Sequence, residues 1–221
     1  MKKYLLVISM LILTNCSIAP VTRYSSSIGR DGTGVGVDLS YGRRLETGIN
    51  SDGSIDSSDV SDIFYPIVGF NLHHKMGNLL VNGKLYGFIF SAFGAYLGAD
   101  YYFNGGQSSP FIGLDLAFSQ SSGESFGSTF DYKGFSSTGV PGYSFVKGKN
   151  FSFTPMLRGG ASIVDVKGNS YTMPEMGVGI NAFWKFGVAQ VSPEIFINGS
   201  KLPSGDFKLG FYPGIFMGFN F

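Results

Sequence analysis

Few residues of this chain are of the types that carry enzyme chemistry. The 221 residues include two histidines, His73 and His74, and one cysteine, Cys16. So small a supply excludes most zinc sites, disulfide pairs and thiol chemistry. Adjacent residues of a strand face opposite sides, so only one of the two imidazoles can point inward and pair with a serine and a carboxylate, as a hydrolase requires. No hydrolase motif accompanies the histidines, and we predict no catalytic residues and no cofactor.

An acidic segment offers the only candidate for cation binding. It holds Asp52, Asp56, Asp59 and Asp62, with several serines between them. Calcium prefers several carboxylate oxygens on a flexible loop, but this spacing does not match an EF-hand loop. We interpret the segment as a solvated loop and predict no metal site.

The composition is unusual for a soluble domain. The chain contains 33 Gly, 22 Phe, 12 Tyr and one Trp, and 14% of its residues are charged. An average soluble domain carries about 7% Gly and about 25% charged residues. The formal net charge of +1 provides no basic surface for nucleic acid. These values exclude disorder driven by charge and argue against an ordinary helical domain.

The N-terminus has the features of an export signal. Met1-Lys2-Lys3 is basic, and Tyr4–Leu13 is an apolar run of ten residues, shorter than the roughly 20 that a membrane helix needs. We therefore predict a signal peptide over residues 1–16 and a polar segment over 17–32, followed by a folded domain from 33 to 221.

Cys16 is a candidate for lipidation. Leu13-Thr14-Asn15-Cys16 resembles a bacterial lipoprotein cleavage box, although Asn15 stands where that box has a small residue. Lipidation of Cys16 and ordinary signal-peptidase cleavage are both open at this point.

The rest of the chain alternates apolar residues with small or polar ones. A period of two is typical of β-strands with one apolar face. The clearest segments are 35–41, 112–119, 175–184 and 207–221, and weaker ones are 62–74, 79–90, 94–104, 126–136, 150–165 and 188–198. Turn signals at Asn104-Gly105-Gly106, Lys167-Gly168-Asn169 and Asn198-Gly199 separate some of them. We count ten segments, with eight strands as the alternative if the uncharged stretch 85–99 is one long strand.

Two folds can use such strands. A β-sandwich buries its apolar face, whereas a transmembrane barrel turns that face to lipid and fills its interior with glycine and polar groups. Here the polar face is repeatedly glycine, and aromatic residues gather at predicted strand ends, at 101–103, 183–184, Phe219 and Phe221, as an interfacial girdle requires. We predict an all-β, antiparallel, up-and-down transmembrane β-barrel of eight or ten strands. The predicted lumen charges are Asp38, Asp100, Asp115, Arg158, Glu175, Glu194 and Lys208.

Five prolines fall inside the predicted strands. They are Pro66, Pro155, Pro174, Pro193 and Pro213. Because proline cannot donate to the hydrogen-bond ladder, we expect these positions to mark bulges or strand portions beyond the bilayer.

The chain ends on Phe221, preceded at alternate positions by Ile215, Met217 and Phe219. This ending resembles the insertion signature of bacterial outer-membrane barrels, and the hairpin over 98–115 is similar to that of small barrels of the OmpA, OmpX and OmpW kind. The resemblance implies location in the bacterial outer membrane and an even number of strands. The implied partners are outer-membrane lipid, lipopolysaccharide and the barrel-assembly machinery.

For function, we predict a non-enzymatic barrel with a structural or surface-interaction role. An extracellular ligand would contact the loops 44–62 and 121–150, the second of which mixes aromatic residues with lysines. The alternatives are a narrow pore for small solutes, a barrel lipid hydrolase, and a β-sandwich surface lipoprotein anchored through Cys16. Charges that pair in a narrow lumen plug it rather than conduct, which disfavours the pore.

Overall fold

A computed structural model gives the fold of the chain. It describes residues 23, 31–49, 55–88, 92–104, 107–125, 128–166, 169–201, 205 and 207–221. Within these ranges no helix is long and apolar enough to cross a membrane. The described residues form ten β-strands: β1 (Gly32–Ile49), β2 (Ile55–Met76), β3 (Leu79–Phe88), β4 (Ala92–Tyr102), β5 (Ser109–Ser125), β6 (Ser128–Lys147), β7 (Phe151–Val166), β8 (Asn169–Phe186), β9 (Ala189–Lys201) and β10 (Phe207–Asn220).

All ten strands belong to one closed sheet. Each strand pairs antiparallel with its neighbours in sequence, and β1 pairs with β10, so that Val35 lies opposite Phe219. The predicted up-and-down barrel is confirmed, with ten strands rather than eight. The β-sandwich alternative is wrong, because pairing of β1 with β10 leaves no free edge among the described strands, whereas a sandwich has two separate sheets.

The observed strands correct three details of the sequence analysis. The uncharged stretch 85–99 is not one strand, since Leu85 in β3 pairs with Ala95 in β4. Asn198-Gly199 is not a turn, because both residues lie within β9 and Gly199 pairs with Leu209. The predicted loop 121–150 consists mainly of β6 and the end of β5, which pair from Ser109 to Ser125.

The prolines do not shift the strand register, although Pro155 has no partner in β6 and Pro193 none in β8 among the described pairs. Pro66 pairs with Tyr41 and Pro193 with Ile215 in unbroken register, and Pro155, Pro174 and Pro213 likewise keep the register of their strands. Among the described pairs, the one register shift lies between Glu46 and Gly48. The expected bulges at proline are therefore wrong, because a missing N–H removes one hydrogen bond without requiring an extra residue.

The two ends of the barrel differ. The start of β1 and the end of β10 lie at the same end of the barrel, where the backbone N–H of Phe221 donates to the Thr33 carbonyl at 2.9 Å. We call this the terminal end. It also carries the β2–β3, β6–β7 and β8–β9 turns, in which Gly77, Gly148 and Gly187 have φ of 55°, 71° and 65°, a region that favours glycine.

At the opposite, distal end, two hairpins extend beyond their neighbours. The β1–β2 pairing continues past Ser40, where the pairing of β1 with β10 stops. The pairing of β4 with β5 stops at Ser121, whereas the pairing of β5 with β6 continues to Ser125. Segment 44–62 thus forms much of the first extension. Of the predicted loop 121–150, only the part up to residue 131 belongs to the second extension, because 132–147 lies in the barrel wall and 148–150 forms the β6–β7 turn at the terminal end.

Side chains alternate between the outer wall and the lumen. On β5, Ile112 and Leu114 are exposed, whereas Gly113 and Asp115 are buried. The alternation predicted for β1, β8 and β10 is observed in the same way. The described strands therefore carry apolar side chains on the outside, whereas the inside holds many polar side chains together with a smaller set of aromatic and aliphatic ones.

Candidate functional site

The lumen brings the predicted charges together. Lys208 lies in β10 opposite Ser200, and its side chain is outside the described part of the structure. The other six predicted lumen charges are buried: Asp38, Asp100, Asp115, Arg158, Glu175 and Glu194. Four buried basic side chains that the sequence analysis did not place there accompany them: Arg23, His73, Lys75 and Lys84.

Arg23 lies before the first strand and is buried among residues of β4, β5 and β9. Its Nη2 donates to Asp100 Oδ1 at 2.5 Å and lies 2.9 Å from Asp115 Oδ1. Its Nε lies 3.5 Å from the Tyr96 hydroxyl, which donates to Asp115 Oδ1 at 2.8 Å. The Arg23 backbone N–H donates to Glu194 Oε1 at 2.5 Å. One residue of the N-terminal segment therefore links three strands from inside the barrel.

A second ion pair lies beside the first. Lys84 Nζ lies 3.0 Å from Asp38 Oδ2, and the Asn71 amide donates to Asp38 Oδ1 at 2.6 Å. The Lys84 ammonium is also 5.9 Å from the centre of the Tyr96 ring, within the range of a cation–π contact. Tyr96 thus contacts both the Arg23 group and the Lys84 group.

Glu194 and Glu175 are held by polar side chains on β7, β8 and β9. The Asn181 amide donates to Glu194 Oε2 at 3.2 Å. Glu175 accepts a hydrogen bond from the Ser162 hydroxyl, and Arg158 Nη2 lies 3.9 Å from Glu175 Oε2. Buried ionic groups are tolerated when they are paired and hydrogen-bonded. Glu175 has both kinds of contact, and Glu194 is held by hydrogen bonds.

Each described acidic or arginine residue of the predicted lumen set lies opposite a glycine on a neighbouring strand. A Cβ added at Gly113 would overlap the Asp100 carboxylate and lie 2.8 Å from Arg23 Nη2. A Cβ at Gly69 would overlap the Asp38 carboxylate in the same way, so glycine makes room for a charged group at these two positions. The pairs are Asp38 with Gly69, Asp100 with Gly113, Asp115 with Gly98, Arg158 with Gly177, Glu175 with Gly160, and Glu194 with Gly214.

Apolar side chains fill the lumen on either side of the charged groups. Ile67, Tyr86, Tyr96 and Ala117 form one buried cluster. Between the polar groups, Arg23, Lys84 and Phe216 border a small gap. The larger buried cluster consists of Leu80, Tyr102, Phe111, Val140, Met156, Phe183, Phe196, Tyr212 and Phe216.

The two histidines face opposite ways, as their adjacency requires. His73 is buried, and its Nε2 lies 3.1 Å from the Gln190 amide nitrogen. His74 is exposed, and its Nδ1 lies 2.9 Å from the Thr33 hydroxyl. His73 thus contacts a side-chain amide inside the barrel, and His74 contacts a threonine hydroxyl outside it.

The acidic segment and the lipidation candidate fall largely outside the described part of the structure. Cys16 and Asp52 are not among the described residues, and Asp56, Asp59 and Asp62 are described only as backbone of β2. No cluster of histidine, cysteine or acidic side chains that could hold a metal ion occurs among the described residues.

The outer wall carries the predicted C-terminal signature. Ile215, Met217, Phe219 and Phe221 all point outward and are exposed. Each follows the preceding member by two residues, so they form one apolar stripe along β10 that ends at the terminal end of the barrel.

Aromatic side chains gather on the outer wall near the terminal end. Tyr143 and Phe145 have ring centres 4.6 Å apart, and Phe151 and Trp184 have ring centres 5.0 Å apart. Tyr102 and Phe183, which belong to the predicted girdle positions, instead point into the lumen and are fully buried. The outward-facing aromatic residues are thus alternate residues of each aromatic cluster.

Sequence reasoning missed Arg23, Lys84 and Tyr96. Arg23 lies in a stretch without strand periodicity, so its spacing carries no signal of burial. Lys84 and Tyr96 lie in β3 and β4, and continuing the alternation from Asp100 back to Tyr96 would have placed Tyr96 on the inner face. No protein-family model matches the chain, and a search of curated proteins finds no similar sequence.

Proposed function

We propose that this chain is a bacterial outer-membrane β-barrel with a plugged lumen and a structural or surface-interaction role. The observation that carries the proposal is the outer wall. Leu85, Leu114, Met176 and Leu209 are each more than half exposed, although they lie inside regular strands. A wall of such residues around a closed sheet is unfavourable in water and favourable against hydrocarbon.

The polar lumen supports the same proposal. A membrane barrel keeps its charged side chains away from lipid by pointing them inward, and Asp38, Asp100 and Glu194 are all inside. The C-terminal stripe from Ile215 to Phe221 fits recognition by the barrel-assembly machinery. Lipid and lipopolysaccharide would then be the surroundings of the outer wall.

The surface role is assigned to the two distal hairpins. In the barrels that this chain resembles, both termini lie in the periplasm, so the distal end faces the outside of the cell. The β1–β2 and β5–β6 hairpins extend beyond the pairing of their neighbours at that end. They are the parts of the fold best placed to meet an extracellular ligand.

The membrane assignment is tested by expressing the full chain in a Gram-negative host. We expect it in the outer-membrane fraction, resistant to alkaline extraction, with an electrophoretic mobility that changes on heating because the closed barrel resists detergent. A Cys16→Ala variant should fractionate in the same way if the barrel itself is the anchor. Release of either protein by alkali would contradict the proposal.

The surface role is tested by trimming the two hairpins in register. Deleting 47–60 joins Glu46 to Ser61, which are cross-strand partners, and deleting 123–130 joins Ser122 to Asp131. Both deletions leave all ten strands in place. We expect the trimmed barrel to retain its heat-modifiable mobility and to lose binding of labelled lipopolysaccharide. Binding equal to that of the intact chain would contradict a surface role for the hairpins toward this ligand.

A further inference from the structure

We propose that the lumen contains a guanidinium-binding site, formed by Asp100, Asp115 and Tyr96. Arg23 fills this site in the intact protein, and a free guanidinium cation binds there when the Arg23 side chain is removed. This inference depends on the barrel fold and not on the membrane in which the barrel resides.

The two carboxylates of the site lie close together. Nη2 of Arg23 lies 2.5 Å from Asp100 Oδ1 and 2.9 Å from Asp115 Oδ1, so the two acidic oxygens can be no farther apart than the sum of those distances. The side chains of Asp100 and Asp115 are 0% and 2% exposed. Two buried like charges this close need a cation between them, or one must take up a proton.

The contacts of the Arg23 guanidinium are directional. Nη2 of Arg23 faces two carboxylate oxygens, and Nε faces the Tyr96 hydroxyl at 3.5 Å. Two of the three guanidinium nitrogens therefore meet acceptors in different directions, whereas Nη1 has no hydrogen-bond partner among the described residues. Acceptors placed in this way suit a guanidinium, whose N–H groups point in fixed directions. An ammonium is a compact point charge with no such fork, so it matches this set of acceptors less well.

The backbone around the site leaves room for the guanidinium group. Gly113 lies directly opposite Asp100, and Gly98 lies opposite Asp115. A Cβ at Gly113 would come within 3.0 Å of Nη1 and 2.8 Å of Nη2 of Arg23. The strands themselves therefore shape the space around the guanidinium, and the site persists without Arg23.

The Arg23 side chain can be removed without removing its backbone contact. The backbone N–H of Arg23 donates to Glu194 Oε1 at 2.5 Å, and an Arg23→Ala variant retains that N–H. The variant then has a site of guanidinium size beside a backbone that is still anchored. Arg23→Lys is the matched control, because it keeps the positive charge and loses the planar fork.

The test is refolding and urea unfolding of the full chain in detergent micelles, with methylguanidinium or methylammonium as the added cation. We expect Arg23→Ala to unfold at lower urea than the unaltered chain. Methylguanidinium should raise its unfolding midpoint and its refolding yield, with an apparent affinity about tenfold greater than that of methylammonium. The unaltered chain should respond to neither cation, because its site is full.

A further variant identifies the acids as the ligands. Arg23→Ala combined with Asp115→Asn has one carboxylate fewer, so it should be more stable than Arg23→Ala alone and should lose the response to methylguanidinium. An equal response to both cations, or a response that survives Asp115→Asn, would overturn the proposal. So would an Arg23→Ala chain that methylguanidinium fails to restore, whether or not that chain folds unaided. None of these results bears on whether the barrel lies in the outer membrane.

Discussion

Asp100 on β4 lies directly opposite Gly113 on β5, and a side chain at 113 would occupy the space in which the Asp100 carboxylate meets Arg23. The glycine at position 113 has a physical cause in this relationship. The buried Asp100 carboxylate needs space beside the neighbouring strand, and glycine leaves that space because it has no side chain.

We expect Gly113→Ala to destabilise the barrel. The added methyl group overlaps the Asp100 carboxylate, and overpacking of this kind costs about 1–3 kcal/mol of the free energy of unfolding. Gly159→Ala is the matched control, because a Cβ there meets no atom within 4 Å. Urea unfolding in detergent micelles measures both variants, and equal loss in the two would contradict the close approach at Gly113.

The Lys84 and Asp38 pair gives a second prediction. Both side chains are almost fully buried, with Nζ and Oδ2 3.0 Å apart. Lys84→Met leaves the Asp38 charge without its cation and should cost about 3–5 kcal/mol of unfolding free energy. Combining it with Asp38→Asn should recover most of that loss. If the double variant is as unstable as Lys84→Met, the pairing does not account for the stability of these residues.

Most of the fold follows from the sequence because period-two alternation reports directly on the two faces of a strand. The alternation of Ile112, Gly113, Leu114 and Asp115 is observed in β5 as the sequence predicts. Strand ends were less predictable. Asn198-Gly199 has the composition of a turn, yet Gly199 lies inside β9. The ring of Phe207 and the side chain of Leu209 occupy the space beside it.

The site was predictable only in part. The lumen acids lie in strands, where they alternate with apolar residues, and this alternation indicates that their side chains point inward. Arg23 lies outside any periodic segment, and its burial depends on contacts with Asp100 and Glu194, which are 77 and 171 residues away in sequence. No local pattern encodes contacts at such separations.

We expect an arginine on the outer wall to be costly in a bilayer. Leu114 is 53% exposed and lies well inside β5. In phospholipid vesicles, Leu114→Arg should lower the unfolding free energy by about 2–4 kcal/mol, because the charge would face hydrocarbon. Val188→Arg is the control at similar exposure, 48%, in the β8–β9 turn at the terminal end, where the cost should be about 0–1 kcal/mol. If neither arginine lowers the unfolding free energy, the outer wall faces water rather than lipid.

The paired charges and the apolar clusters predict a closed lumen. Arg23 and Lys84 are each held by buried acids, and Tyr102 and Phe183 fill the lumen near the terminal end. In planar bilayers we expect the purified barrel to give no steady ion current. Stable unitary currents from heat-modifiable, fully folded protein would contradict the plugged lumen and favour the narrow pore.

The central claim, that the outer wall meets lipid, is tested most directly with the single tryptophan of the chain. Trp184 lies on the outer wall near the terminal end, against Phe151, and is 37% exposed. In vesicles, its fluorescence should be quenched most by lipids brominated close to the headgroup, less by lipids brominated near the chain end, and little by aqueous iodide. Strong quenching by iodide, together with no effect of either brominated lipid, would contradict the account.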